Sequence, residues 1–445
     1  LLPLINRTRD KILGIGTHSH LQVLKDGVLH NVTPAGLPPG DIDASGAGGA
    51  YGMGLYGTGA YGQGAVGARF LRTWSLERWA DSILALPRGG TLYEWAGNVA
   101  VPAQAIVGAP TVAEAMFVDP ARFVVLLGTI DQGTGQFDPM LVRWGDQDSR
   151  NNFTATSTNS AGQLPLSDGG RIVGGLAGSP SLIWTDTALY QMRLTTGDEI
   201  FSIPRIGRGC GLISPNAAAE RDGRAFWMSP SGQFFGYSGG APEPLDCPVR
   251  AHVFDNLNAA QADKIVCGVN GAWNEVWWFY PDERDGLEVS RYVAYNWMDR
   301  TWTVGEMART AWVDASVFTK PIAATPGGIL YDHETGQSAD GAAIGEELIS
   351  GAVDLGDGDA LFRIDALHPD MHDQVGVAQV SVLMRNDPQG AEREIGPFAV
   401  SGGFVRIPFL GQGRDARIMV RGGGAPSFWR LGAPRFENKT TGMRA

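Results

Sequence analysis

Residues 225–239 read AFWMSPSGQFFGYSG, two aromatic runs on either side of Pro230-Ser231-Gly232. Proline pre-sets φ and glycine accepts positive φ, so the middle is a turn. The flanks are rich in residues that fit a pleated surface. The stretch predicts a hairpin whose strands carry large rings. The same construction recurs on both sides of it. HLQVLKDGVLHNVT (20–33) turns on Asp26-Gly27, a pair suited to a two-residue hairpin loop. TLYEWAGNVAVP (91–102) predicts another hairpin about Gly97-Asn98. RFVVLLGT (122–129), LIWTDTALYQMRL (182–194), EVWWFYP (275–281) and RYVAYNWMDRTWTVG (291–305) read as further strands. Short strands at this pitch, with aromatics in each hairpin, predict an all-β chain with a β-propeller over residues 1–340. A large β-sandwich of unrelated hairpins is the alternative. Helical patterns are scarce. TWSLERWADSILALP (73–87) predicts a helix with Ser75 as N-cap and Pro87 as stop. CPVRAHVFDNLNAAQADK (247–264) holds one or two helical turns.

From about residue 341 the texture changes. ELISGAVDLGDGDALFRIDALHPD, VAQVSVLMRN, FVRIPF and DARIMVRG are longer alternating strands. They predict a C-terminal β-sandwich-like domain over 341–445, with the boundary in HETGQSADGAA (333–343). The composition suits sheets held by packing: 13 Trp, 62 Gly and few charged residues for the length. Cys210, Cys247 and Cys267 are odd in number and lack metal-ligand spacing, so burial or a reducing compartment is expected rather than a disulfide framework. No apolar run is long enough to span a bilayer, and LLPLINRTRDKILGIG lacks the pattern of a signal peptide. The net charge is −12, most of it within residues 121–340. A dedicated DNA-binding module is therefore disfavoured.

AYGMGLYGTGAYGQG (50–64) places Tyr51, Tyr56 and Tyr61 five apart within overlapping G-x-G-x-x-G matches. A dinucleotide fingerprint needs a strand before the glycines and a helix after them; DIDASGAGGA precedes and ARFLRTW follows. No P-loop Lys-Ser or Lys-Thr follows either. Glycine this dense is costly to order, whereas tyrosine favours a buried ring with a paired hydroxyl. Residues 41–72 therefore read as a long Gly/Tyr-rich loop inserted in the propeller, an arm that docks on a neighbouring subunit through Tyr51, Tyr56 and Tyr61. A surface loop without a partner is the plainer alternative. His18 and His20 would share one face of a strand, without a third metal ligand. His368 and His372 are four apart, but Pro369 spoils a zinc-binding helix. DLGDGD (354–359) lacks the closing glutamate of a calcium loop. No cofactor and no metal is expected.

Catalytic sets are not evident either. A nucleophile elbow is absent. Asn296 to Trp302 offers only Asp299, Thr301 and Trp302 of a sialidase-type Asp-box. YNWMDRTW (295–302) resembles a kelch-type blade. Taken together, PRGGTLYEWAGN, RWGDQDSRNNFTATSTNSAGQLPLSDGGRIVGGL, GCGLISPNAAAERDGRAFWMSPSGQFFGY, CPVRAHVFDNLN and RIDALHPDMHDQVGVAQVSVLMRN resemble the tail nozzle, or hub, proteins of short-tailed, podovirus-type bacteriophages. The resemblance covers most of the chain and lies in strand-turn phrases. It implies a non-enzymatic virion protein of the tail, assembled in the host cytoplasm as a hexameric ring. Adaptor or portal-side proteins would flank it on one side and tail fibre or needle proteins on the other. DNA would transit without specific binding, past acidic faces that repel phosphate over about a Debye length, ~8 Å. A receptor- or carbohydrate-binding propeller, with Trp144 or Trp302 exposed in a concave site, is the alternative; a sialidase-like hydrolase is the third.

Overall fold

The computed structural model describes residues 1–44, 71–196, 199–354, 360–387, 389–402 and 406–443. The chain divides into two compact units, Leu1–His333 and Glu334–Ala445. Tyr51, Tyr56 and Tyr61, their overlapping glycine motifs and most of the 354–359 loop lie outside the described residues.

Among the described residues the first unit holds seven antiparallel meanders, at 2–31, 74–105, 113–165, 172–208, 218–244, 266–306 and 311–332. The last has three strands and the others four or five. Successive sheets share apolar clusters. The first and second pack through Leu4, Ile12, Ile83 and Trp95; the sixth and seventh through Phe279, Val289 and Trp312. The ring closes where Leu13 and Ile15 of the first sheet meet Val313 and Ile322 of the last. Seven sheets packed face to face in chain order, the last on the first, are a seven-bladed β-propeller.

Because each blade is covered on both faces, some middle strands are buried along their whole length. Ser82–Pro87 and Ser181–Thr185 have no exposed residue, and Arg224–Ser229 has only its first. This explains the one helix that the sequence predicts wrongly. Residues 73–87 form the strands Trp74–Trp79 and Ser82–Pro87, joined at Ala80 with φ 53°. A continuous apolar run such as SILALP has no period of two, so a doubly covered strand imitates a buried helix. The hairpin expected about Gly97-Asn98 is wider than its turn pair suggests, since its strands are Tyr93–Trp95 and Gln104–Ala105. The helical turns in 247–264 are an α-helix, Arg250–Phe254, and a 3-10 helix, Ala259–Lys264. Asp26-Gly27 forms the expected hairpin turn, with φ of 52° and 76°.

Tryptophan and glycine join the blades as a pair. Trp74 Nε1 donates to Thr17 O of the first blade (2.7 Å), Trp278 Nε1 to Ala217 O (3.0 Å) and Trp312 Nε1 to Val269 O (2.8 Å), each reaching back to the preceding blade. The rings of Trp74 and Trp312 rest on glycines, and a Cβ on Gly16 or Gly268 would collide with Trp74 or Trp312. Gly268→Ala is therefore expected to destabilise the first unit by about 1–3 kcal/mol, the usual cost of overpacking. Urea unfolding followed by tryptophan fluorescence measures it.

In the second unit, one sheet contains Glu347–Ile349, Asp415–Gly422, Ala378–Arg385 and Arg393–Val400, and another contains Ile407–Gly413, Ala360–His368 and Arg435–Met443. Phe362, Ile364, Val380, Val382 and Ile418 fill the space between them, which is a sandwich-like core. The unit begins at Glu334, earlier than residue 341. His333 N bonds Pro321 O (2.8 Å) in the first unit, whereas Gln337 O accepts from Ser427 N (3.2 Å) in the second.

Candidate functional site: the central cavity and its rim

The inner strands of the propeller enclose a cavity of about 730 Å3. Every blade contributes to its wall, among them Gly16, Leu76, Met116, Gly175, Ala218, Cys267 and Ala311. Small residues leave the space open, because larger side chains at the narrow axis would fill it. The parallel bridge between Asn216 and Val266 shows neighbouring inner strands running in the same direction. The residues that precede these strands therefore gather at one end of the ring.

At that end the 3-10 helix Ala259–Lys264 forms a brace. Arg88, which follows the second strand of blade two, is buried and places Nη1 2.8 Å from Asp263 Oδ2 and Nε 2.9 Å from Glu114 Oε2 of blade three. Arg171, ahead of blade four, lies 3.9 Å from Asp263; burial and the neighbouring Arg88 charge lower its pKa. Asp263 precedes blade six, about half a turn of the ring from blade two. Lys264 Nζ donates to Asp43 Oδ1 (2.6 Å), Glu288 Oε1 (2.5 Å) and Leu287 O (3.0 Å). Gln261 makes a reciprocal pair with the backbone of Ala44: its Oε1 accepts from Ala44 N (3.1 Å) and its Nε2 donates to Ala44 O (3.0 Å). Arg72 N donates to Asp41 O (3.0 Å). The two roots of the Gly/Tyr-rich segment thus meet at a single place on the rim. Nothing in the sequence marks these contacts, since Asp43 and Lys264 are 221 residues apart.

On the cavity wall, half-buried, Glu77 stands on the first strand of blade two. Among the described residues it has no hydrogen bond or ion pair, and burial alone pushes its pKa up to about 8. An unfolded glutamate titrates near 4.5. Between these values the folded chain holds a proton that the unfolded chain has lost. Stability therefore falls as pH rises from about 4.5 to 8 and levels off above that. The loss is on the order of a few kcal/mol, reduced by any water in the cavity. Glu77→Gln is expected to remove this slope, and urea unfolding at several pH values across the window checks it.

The other sequence candidates do not converge. His18 and His20 occupy the turn between Lys11–Gly16 and Leu21–Lys25 rather than a strand, because Thr17 N bonds His20 O (2.8 Å) and closes the chain there. Both reach the cavity rim. His368 pairs with Glu437 (2.8 Å) and His372 with Asp370 (3.1 Å). Asn296 Oδ1 accepts from Met298 N and Asp299 N (3.0 Å each), so the Asp-box-like stretch is a turn that caps a hairpin. Trp144 is buried edge-on against Phe201 in a blade core, whereas Trp302 is half-buried at the margin of one, stacked on Trp278 and tilted against Tyr295. Cys210, Cys247 and Cys267 are free thiols whose pKa values burial raises. Among the described residues there is no group of three potential metal ligands and no helix long and apolar enough to cross a membrane.

No family model and no curated protein matches the chain. Solved structures with some likeness include BamB from Moraxella catarrhalis, at 13% identity and TM-score 0.32, covering 60% of this chain and 86% of that one. An exo-β-1,3-galactanase from Phanerochaete chrysosporium is 11% identical with TM-score 0.30, over 82% of this chain and 95% of that one. A Synechocystis apocarotenoid oxygenase is 10% identical with TM-score 0.31, over 59% and 67%. Likeness at this level says nothing about activity.

Proposed function

We propose that this chain is a structural, non-enzymatic subunit of a bacteriophage tail, one of several copies in a ring through whose bore the DNA genome passes. The observation that carries the reading is the root of the Gly/Tyr-rich segment. Asp41 and Arg72 are hydrogen-bonded to each other, and Asp43 and Ala44 are held by Lys264 and Gln261. A segment whose two ends meet on a braced rim is an appendage, not a linker. Its tyrosines are the residue type favoured at interface centres. Copies related by a rotation axis would each extend this arm to the next, a heterologous contact that closes into a ring.

The path for DNA lies between copies in this reading. A cavity of about 730 Å3 has the size of a small-molecule site. A duplex whose major groove alone is about 12 Å wide does not fit it. A bore formed by several copies, each with a net charge of −12, would repel phosphate and let the duplex slide. The resemblance of the strand-turn phrases to those of tail nozzle proteins supports the same reading.

Electron microscopy of the purified chain and of particles carrying it tests the proposal. Closed rings of about six copies, at the tail, are expected. A chain that stays monomeric at high concentration and is missing from particles overturns it. Specific retention on a glycan array would instead favour a carbohydrate-binding propeller.

A further inference from the structure

The seventh blade stops one strand short. Among the described residues its sheet holds Ala311–Val313, Ile322–Ala324 and Leu330–Asp332, whereas every other blade has four strands or more. Leu330–Asp332 is an edge, paired only with Ile322–Ala324. Thr325 N donates to Ile329 O (2.9 Å) and His333 N to Pro321 O (2.8 Å). Antiparallel pairs alternate, so the N–H and C=O groups of Leu330 and Asp332 point outward, to where a fourth strand would lie. The neighbouring blades are uncovered at the same place. Leu13, Leu24 and Leu29 form one row across the first blade, and Leu13 and Leu24 pack with Val313 and Ile322 of the seventh. Leu13 is fully buried, but Leu29, level with the absent strand, is 50% exposed. Ile329, at the head of the free edge, is 55% exposed. On the other side, Thr301, Thr303 and Gly305 share the face of Tyr292, which packs toward the seventh blade, and both threonines are exposed.

We propose, on the ring reading above, that this open edge receives a strand from a second copy of the chain, residues 51–55 of its Gly/Tyr-rich arm. Tyr51-Gly52-Met53-Gly54-Leu55 alternates large apolar residues with glycine. As a strand it presents Tyr51, Met53 and Leu55 on one face and only glycine on the other. The apolar face suits Leu29; the glycine face lies low against Thr303 and Gly305, where a Cβ on Gly305 would already collide with Tyr292. The later repeats fit less well, because Thr58 and Gln63 stand where the first has Met53. Main-chain hydrogen bonds to Leu330 and Asp332 supply affinity, and the alternate side chains supply specificity. Two glycines make this strand costly to order alone, so it forms on an existing edge. The reach is sufficient. About 26 residues separate Ala44 from Leu71, enough to run out and back roughly 40 Å at ~3.3 Å per residue. A unit of this size has a radius of gyration of about 20 Å, so the arm extends past its own propeller. Its roots, Asp41 and Arg72, line the same cavity as Leu29 and Leu330. Arm and edge therefore lie at one end of the ring, where copies side by side about an axis can exchange arms.

Disulfide trapping in the full chain tests the exchange. Leu29→Cys and Met53→Cys are made as separate variants, mixed, allowed to assemble and oxidised, and mass spectrometry of tryptic peptides reads the bridge. Cys210 and Cys267 are buried and Cys247 is half-buried, so the two new thiols are the accessible ones. A bridge between positions 29 and 53 of different chains is expected, at least about tenfold more abundant than with Gln63→Cys in place of Met53→Cys. Asp332→Pro removes an outward N–H that the propeller does not use, a change that edge strands tolerate. It should leave the urea midpoint of the first unit in place and lower both the bridge and the yield of rings at least about tenfold. Rings from the wild type without the 29–53 bridge, or full ring yield from folded Asp332→Pro, overturn the strand exchange and leave the ring reading standing. A wild type that forms no rings overturns both. A bridge found within the double variant Leu29→Cys/Met53→Cys but absent from the mixture puts the arm on its own blade and overturns the exchange.

Discussion

Replacing Arg88 with methionine should destabilise the propeller by about 3–5 kcal/mol, the usual consequence of removing one partner from a buried ion pair. The guanidinium is 4% exposed, and its two partners, Glu114 and Asp263, are 18% and 11% exposed. Without it both carboxylates face a poorly hydrated rim. Their repulsion then pushes blade three away from the 3-10 helix that precedes blade six. The brace spans about half the ring, so its loss weakens a contact between distant blades and not a single hairpin. A triple variant, Arg88→Met with Glu114→Gln and Asp263→Asn, separates charge from packing. It should recover most of the lost stability, because a buried network replaced as a whole costs far less than one broken in part. Urea unfolding of the first unit's transition measures both variants, with the second unit's transition as an internal reference. A loss below about 1 kcal/mol for Arg88→Met would mean that water already screens the brace.

The hairpins were legible because their turns depend on local chemistry. Asp26-Gly27 and Pro230-Ser231-Gly232 need no tertiary information to bend the chain. The middle strands of blades were harder, as SILALP shows, since burial on both faces erases the alternation that marks a strand. The error at 73–87 also hid Glu77. On a helix, Glu77 and Arg78 read as a solvated polar face. On a strand they point to opposite sides, and Glu77 faces the cavity. The brace had no signal in the sequence. Arg88 and Asp263 are 175 residues apart, and only ring closure brings them together. The number of blades was hidden for a related reason: the repeats share turn chemistry and aromatic content but no fixed spacing, so seven emerges only from which sheet packs on which.

Deleting residues 46–67 should leave the propeller folded and abolish or strongly reduce ring assembly. The deletion spares Asp41, Asp43, Ala44, Leu71 and Arg72, the groups that tie the segment's roots to the rim. Closing a shorter loop between roots that already meet carries little entropic penalty, so the unfolding transition should move by less than about 1 kcal/mol. Assembly should respond very differently, because a contact repeated around a ring is lost at every interface at once. A variant with Tyr51, Tyr56 and Tyr61 all changed to serine isolates the rings from the length of the arm. If the tyrosines anchor the contact, the serine variant should fail to assemble as completely as the deletion, with each anchor contributing on the order of 2 kcal/mol. Analytical ultracentrifugation of the purified chain and infectivity of particles carrying each variant provide two separate readouts. Normal rings and normal infectivity from the deletion would sink the docking role of the arm. Failure of the deletion alone, with the serine variant intact, would assign the role to the glycine-rich backbone and remove it from the tyrosines.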